Sequence, residues 1–118
     1  MRAFEGGLIS AAEAREVVRA SLRRSAAAEI AELAKSISDP NRVRLLDLLD
    51  QHQLCPTDLA GMTGIELSVV SHHLKKARDA GLVDWWPVAV EVKNREYLLT
   101  AKGEEALQAM RSLIAEGR

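Results

Sequence analysis

Apolar residues recur at steps of three and four along most of the chain, which is the spacing of one face of an α-helix. Between Ser10 and Ser38 this pattern runs without a glycine or proline, and it predicts one long helix or two helices with a bend near Arg24. Ser10 and Glu13 have the spacing of a capping box, in which each side chain accepts a hydrogen bond from the other's backbone N–H. We therefore expect the first helix to begin there.

Four further helices are predicted downstream. Asp39 followed by Pro40 favours a helix start, because the carboxylate caps free N–H groups and the proline ring fits the first turn. The expected helices cover 40–52, 57–61, 67–80 and, after a cap at Thr100, the end of the chain, with Gly61 and Gly64 bracketing a tight turn and Gly81 ending the third.

Residues 83–99 are rich in β-favouring side chains and do not follow a helical period. We expect an antiparallel hairpin there, with its turn at Lys93 and Asn94 and with Pro87 at an irregular or edge position. Trp85 and Trp86 are neighbours on one strand, so their side chains point to opposite faces. One is predicted to pack on the core, and the other to be exposed or to lie at an interface.

Composition limits the classes of protein to which the chain can belong. Its 118 residues, 47% of them hydrophobic, suit a single domain that is mainly α-helical with a small β-hairpin. The one cysteine excludes a disulfide framework and a multi-thiolate zinc module. Acidic and basic residues nearly balance, at 17 and 16, which excludes a histone-like general binder. No apolar run is long enough to span a membrane, and residues 1–10 lack a signal-peptide core, so we expect a cytoplasmic protein.

A short helix joined by a glycine-containing turn to a longer helix is typical of a helix-turn-helix, whose second helix reads DNA. The buried stripe of this second helix is predicted to be Val70, Leu74 and Ala77. The opposite face carries small hydroxyls, an imidazole and long cationic side chains, which suit base edges and phosphates. The predicted DNA-binding residues on this helix and the hairpin are Ser68, Val69, Ser71, His72, Lys75, Lys76, Lys93 and Arg95.

Four segments together resemble the ArsR family of bacterial winged-helix repressors, many of which sense metals. They are Ser38-Asp39-Pro40-Asn41-Arg42, Leu54-Cys55-Pro56-Thr57-Asp58-Leu59-Ala60, Ser68-Val69-Val70-Ser71-His72-His73-Leu74-Lys75 and Ala80-Gly81-Leu82-Val83. The resemblance implies a DNA-binding homodimer whose wing is the hairpin. It divides the single domain into a dimerisation region at 1–36, a DNA-binding core and wing at 37–99, and a dimerisation helix at 100–118. It also implies that His73 packs and hydrogen-bonds, while His72 faces DNA.

This chain does not have the metal-binding residues that members of the family carry at the corresponding positions. Family sensors often carry a pair of cysteines where this chain has Cys55 and Thr57, and others carry Asp and His ligands on a last helix that has neither here. His52, Cys55 and Asp58 are spaced three apart and form a candidate set for a borderline metal, although such spacing is common by chance. Cys55 is either a sensor thiol at a helix N-terminus or a small buried side chain.

The sequence therefore predicts a sequence-specific transcriptional regulator, a repressor that acts as a homodimer on an imperfect palindrome in double-stranded DNA. An effector would release it, either a metal ion, a redox signal or a small molecule. The alternative is a winged-helix protein-interaction module without DNA binding, which the net charge of −1 favours. An enzyme is not expected, because no glycine-rich phosphate loop or catalytic triad is evident.

Overall fold

The computed structural model describes residues 7–87 and 95–114, and the chain divides into two compact units, residues 1–31 and 32–118. The first unit contains α1 (Ala11–Ala20) and the start of α2 (Arg24–Ser36). Ser10 Oγ accepts from the Glu13 N–H at 3.1 Å, and Glu13 Oε1 accepts from the Ser10 N–H at 3.0 Å, so the predicted capping box is confirmed. The chain breaks into two helices just before Arg24, and neither helix has a buried residue.

The second unit holds the hydrophobic core. Its elements are α3 (Pro40–Gln51), α4 (Pro56–Thr63), α5 (Leu67–Asp79), β1 (Val83–Pro87), β2 (Arg95–Leu99) and α6 (Ala101–Leu113). Leucines of α3 and α4 pack against the buried stripe of α5, and the hairpin and α6 close the core from the other side. The buried hydrophobic residues are Leu45, Leu46, Leu49, Leu59, Val70, Leu74, Ala77, Leu82, Val83, Tyr97, Leu99 and Leu107.

The turn between α4 and α5 differs from the expectation. Gly61 lies inside α4, which continues to Thr63, so the predicted bracket of two glycines is wrong. Gly64 alone makes the turn, with a φ of 76° in the left-handed region that favours glycine. Gly81 ends α5 with a φ of 79°, as predicted.

The β-hairpin is antiparallel, as predicted, with Val83 opposite Leu99 and Trp85 opposite Tyr97. The expected turn at Lys93 and Asn94 lies outside the described residues. Trp85 is half-buried against the core, whereas Trp86 is 46% exposed, which confirms that the two indoles point to opposite faces. Leu54 adds an isolated bridge to Tyr97, so the segment before α4 is hydrogen-bonded to the hairpin.

Two contacts place α6 on the rest of the core. The Thr100 hydroxyl donates to the Gly81 carbonyl oxygen at 2.6 Å and accepts from the Gly103 N–H at 3.1 Å, so the predicted cap also joins α6 to the end of α5. Arg111 pairs with Asp47 and Asp50 of α3. Within residues 7–87 and 95–114, no helix is long and apolar enough to cross a membrane.

Candidate nucleic-acid interface

The rotation of α5 is set by its buried side. Val70, Leu74 and Ala77 are each at most 1% exposed, and α5 packs against α3 and α4. These three positions and His73 lie on the buried side of the helix, so the positions on the opposite side point outward. The buried stripe predicted from the sequence is confirmed.

The outward face of α5 carries the side chains that the sequence analysis selected for DNA contact. All six candidates on this helix are exposed: Ser68, Val69, Ser71, His72, Lys75 and Lys76. Hydroxyl and imidazole groups stand toward the N-terminal half, and the ammonium groups stand further along. Such a face can place hydrogen-bonding groups at base edges and cations at phosphates.

A cavity of about 620 Å³ opens between the outer face of α5 and the hairpin. Ser71, Lys75 and Arg78 line it from α5, and Trp85, Arg95 and Tyr97 line it from the hairpin, together with Pro56 and Asp79. Of the two wing candidates, Arg95 is thus placed beside α5, whereas Lys93 lies outside the described residues. Three cations and one carboxylate give the lining a positive balance.

Behind this surface, His73 is buried on the inner side of α5. Its Nε2 lies 3.8 Å from Asp39 Oδ1, at the start of α3. Burial lowers the pKa of His73, because the charged imidazolium loses contact with water, and the nearby charge of Asp39 opposes that effect. At neutral pH the ring is therefore uncharged, consistent with the packing role that the family resemblance implied.

Sequence reasoning missed the buried Arg42 beside it. Its Nη1 donates to the Ser36 carbonyl oxygen at 2.6 Å and so holds the end of α2 against α3. Arg42 precedes Leu45, Leu46 and Leu49 at helical spacing, so it falls on the buried stripe of α3. That position in the pattern could have identified it.

The candidate metal ligands come together only in part. The Cys55 thiol donates to Asp58 Oδ2 at 3.0 Å, and the Cys55 N–H donates to the same oxygen at 3.2 Å. These hydrogen bonds lower the pKa of Asp58. Cys55 is half-buried, whereas His52 is exposed with its Nδ1 3.0 Å from the Gln53 carbonyl oxygen. Among the residues that the structure describes, no group of three His, Cys, Asp or Glu side chains could hold a metal ion.

Comparison with known proteins identifies the segment that carries this surface. Residues 39–84 match the sequence profile described as bacterial regulatory protein, arsR family. The HTH-type transcriptional regulator NmtR of Mycobacterium tuberculosis is 39% identical over 71 residues, which are 60% of this chain and 59% of that protein. The transcriptional repressor SmtB homolog of Synechocystis is 32% identical over 78 residues, 66% of this chain and 59% of that one. The chain thus spans about three fifths of each relative.

The fold is similar to that of a solved DNA-binding domain. The winged helix-turn-helix DNA-binding domain Mb0332 of Mycobacterium bovis superposes with a TM-score of 0.69 at 22% identity, covering 82% of this chain and 90% of that domain. Helices α4 and α5 are therefore the helix-turn-helix, and β1 and β2 are the wing. The chain thus has the winged helix-turn-helix fold, and its residues 39–84 are similar to the arsR family of bacterial regulatory proteins.

Proposed function

We propose that this chain is a sequence-specific DNA-binding transcriptional regulator, a repressor that acts in the cytoplasm as a homodimer on an imperfect palindromic operator. The observation that carries the proposal is the outward face of α5, where every candidate contact residue is exposed while the opposite stripe is buried. The similarity to the arsR family supports the same function, since one relative is named a transcriptional regulator and another a transcriptional repressor.

Different residues of the proposed surface are expected to contact DNA bases and DNA phosphates. Ser68, Val69, Ser71 and His72 occupy the first half of α5, the part of a recognition helix that approaches base edges in the major groove. Lys75, Lys76 and Arg95 carry long cationic side chains, which suit the DNA backbone. Lys93 would extend this set at the wing.

The terminal regions, 1–36 and 100–118, are proposed to form the dimer around the DNA-binding region at 37–99. In the first unit, Val17, Val18 and Leu22 are exposed apolar side chains. In the second unit, Leu113 and Ile114 at the end of α6 are exposed as well. Several large apolar side chains exposed in the terminal regions are typical of a surface that binds another protein chain. The similar domain Mb0332 is described as homodimeric.

The effector that releases the repressor remains one of three chemical classes: a metal ion, a redox signal or a small molecule. Cys55 is the residue of this chain best suited to a redox signal or a soft metal, because its thiol lies at the start of α4 and is half-buried. Cys55→Ser is expected to leave DNA binding in reducing buffer unchanged, since Cys55 is not on the outward face of α5.

A salt titration with duplex DNA of random sequence tests the proposal. We expect binding at low salt that weakens steeply as salt increases, because phosphate contacts release counterions. The double variant Lys75→Ala/Lys76→Ala should weaken binding and lower the slope of log affinity against log salt by about two units. The control is Lys35→Ala, which removes an exposed cation of α2. No binding by the wild type, or equal losses in both variants, would favour the protein-interaction module instead.

A further inference from the structure

The indole of Trp85 contacts cations from two different elements. The Cζ atom of Arg78, on α5, lies 4.9 Å from the ring centroid, and the Cζ atom of Arg95, on β2, lies 4.0 Å from it. Both guanidinium groups lie over the ring, within the distance at which a cation is attracted to an aromatic face. A single side chain of β1 therefore joins the second helix of the helix-turn-helix to the other strand of the wing.

We propose that Trp85 is a positioning residue that holds Arg95 on the wall of the cavity between α5 and the hairpin, and that Arg95 and Lys75 there bind one phosphate of the DNA backbone. This inference rests on the proposed function, because the phosphate belongs to the duplex that α5 reads. It adds to the proposed function one phosphate-binding site, and it assigns Trp85 a role at that site although Trp85 does not contact DNA.

The charges around the cavity favour an anion. Lys75 Nζ lies 3.4 Å from Asp79, and Arg78 Nε lies 3.5 Å from Asp84, so each of these cations has a carboxylate neighbour. Within residues 7–87 and 95–114, no carboxylate pairs with Arg95. Among the described residues Arg95 is therefore the lining cation without a carboxylate partner, and the exposed Lys75–Asp79 pair is weak enough for Lys75 to contact an anion as well.

Stacking suits Arg95 for this role. A guanidinium that lies over an aromatic ring keeps its N–H donors at its edge, where two of them can reach the oxygens of one phosphate. The indole also removes conformational freedom from a long side chain before DNA arrives, so less ordering is required on binding. The Ser71 hydroxyl on the same cavity wall can donate a further hydrogen bond.

Trp86 provides a matched control. It is the next residue on β1, is 46% exposed and pairs in the sheet with Glu96. Its indole faces the other side of the hairpin, away from α5 and the cavity. If both tryptophans served only to stabilise the hairpin, replacing either one by leucine would change DNA affinity to the same extent.

Phenylalanine provides the conservative replacement. The indole N–H of Trp85 is shielded from solvent and has no acceptor in the part of the chain that the structure describes. Trp85→Phe therefore keeps an aromatic face and loses no hydrogen bond. Trp85→Leu keeps an apolar side chain but removes the face on which Arg95 stacks.

The experiment measures the affinity of the full chain for random-sequence duplex DNA over a range of salt concentrations. We expect Trp85→Leu and Arg95→Gln each to lower affinity about tenfold and to reduce the salt slope by about one unit. Trp85→Phe should retain most of the affinity, and Trp86→Leu should bind as the wild type does. Trp85→Leu/Arg95→Gln should lose little more than either single variant, because both act on one contact.

The outcomes separate the inference from the proposed function. A wild type that binds no duplex at low salt would overturn the proposed function and the phosphate site with it. A wild type that binds, with Arg95→Gln equal to it, would overturn the inference alone, and this result does not depend on whether Trp85→Leu folds. Equal losses in Trp85→Leu and Trp86→Leu, or additive losses in the double variant, would overturn the positioning role.

Discussion

Gly103 has to be a glycine because its backbone lies very close to the backbone of Leu82. A Cβ atom at this position of α6 would lie 2.1 Å from the Leu82 carbonyl oxygen, a backbone atom that cannot rotate away. The segment between α5 and β1 therefore packs directly on the first turn of α6. Only glycine allows this contact, and Thr100 caps the same turn through its hydroxyl.

Gly103→Ala is expected to lower the free energy of unfolding by about 2–3 kcal/mol, because α6 must move off Leu82. Gly61→Ala is the control, since Gly61 lies in α4 and a Cβ there would meet nothing within 4 Å. That substitution should be neutral or stabilise by up to about 1 kcal/mol, because alanine favours a helix. Urea unfolding measures both, and similar effects at the two positions would contradict the account.

His73 is expected to make stability depend on pH. Burial lowers its pKa in the folded state, whereas the unfolded chain has the ordinary value near 6.5. The unfolded state therefore binds more protons as pH falls through about 6.5, and the free energy of unfolding decreases there. The charges that face the ring are Asp39, which opposes the shift, and Arg42 and His72, which add to it.

The measurement is urea unfolding at a series of pH values from about 7.5 to 5.5, the range around the ordinary histidine pKa. His73→Gln should flatten the dependence on pH, although it lowers stability throughout. His52→Gln, at an exposed position, should leave the dependence as it is in the wild type. A wild-type stability that rises as pH falls through this range would show that the sign is wrong.

At the scale of elements, the helices were predicted most accurately where residues close together in the sequence determine the structure. The caps at Ser10, Asp39 and Thr100 predicted three helix starts, and the stripe of α5 predicted its rotation. The continuation of α4 through Gly61 was not predicted, because tertiary packing outweighs the modest cost of one glycine in a helix. The contacts of Arg78 and Arg95 with Trp85 join distant positions, which no local spacing reveals.

The Thr100 hydroxyl stabilises the connection between the hairpin and α6, because it donates a hydrogen bond to the Gly81 carbonyl oxygen and accepts one from the Gly103 N–H. Thr100→Val keeps the shape of the side chain but removes both hydrogen bonds, and we expect a loss of about 1–2 kcal/mol in the free energy of unfolding. Thr100→Ser keeps the hydroxyl and should lose less than half of that. Denaturant unfolding of the two variants tests this, and equal losses would contradict a role for the hydroxyl.

For the whole molecule, a second copy of the chain is the proposed cover for the exposed apolar residues of the terminal regions. Helix α1 has ten residues, none of them buried, and a helix of that length is marginal in water when nothing packs on it. The sequence pattern predicted an apolar stripe there but could not show what covers it, since in the proposed dimer the covering surface belongs to another chain. A dimer with an interface of standard size would bury about 1,600 Å² in total.

Sedimentation equilibrium tests this dimer. The wild type is expected to be dimeric at micromolar concentration, and Val18→Ser should raise the dissociation constant about tenfold by removing one apolar contact from the interface. Glu16→Ser, a polar position of the same helix that pairs only with Arg19 in the described structure, should change it little. A monomeric wild type, or equal effects of the two substitutions, would contradict the proposed interface.

Selection of duplexes from a random-sequence library tests the central claim, that the outward face of α5 reads specific DNA, most directly. The account predicts that the wild type enriches an inverted repeat, with half-sites about 10 base pairs apart as two symmetric recognition helices require. In the same selection, His72→Ala should yield the same repeat with the base preference relaxed at one position of each half-site. Enrichment of no sequence by the wild type, or an unchanged repeat with His72→Ala and with Ser71→Ala, would contradict the account.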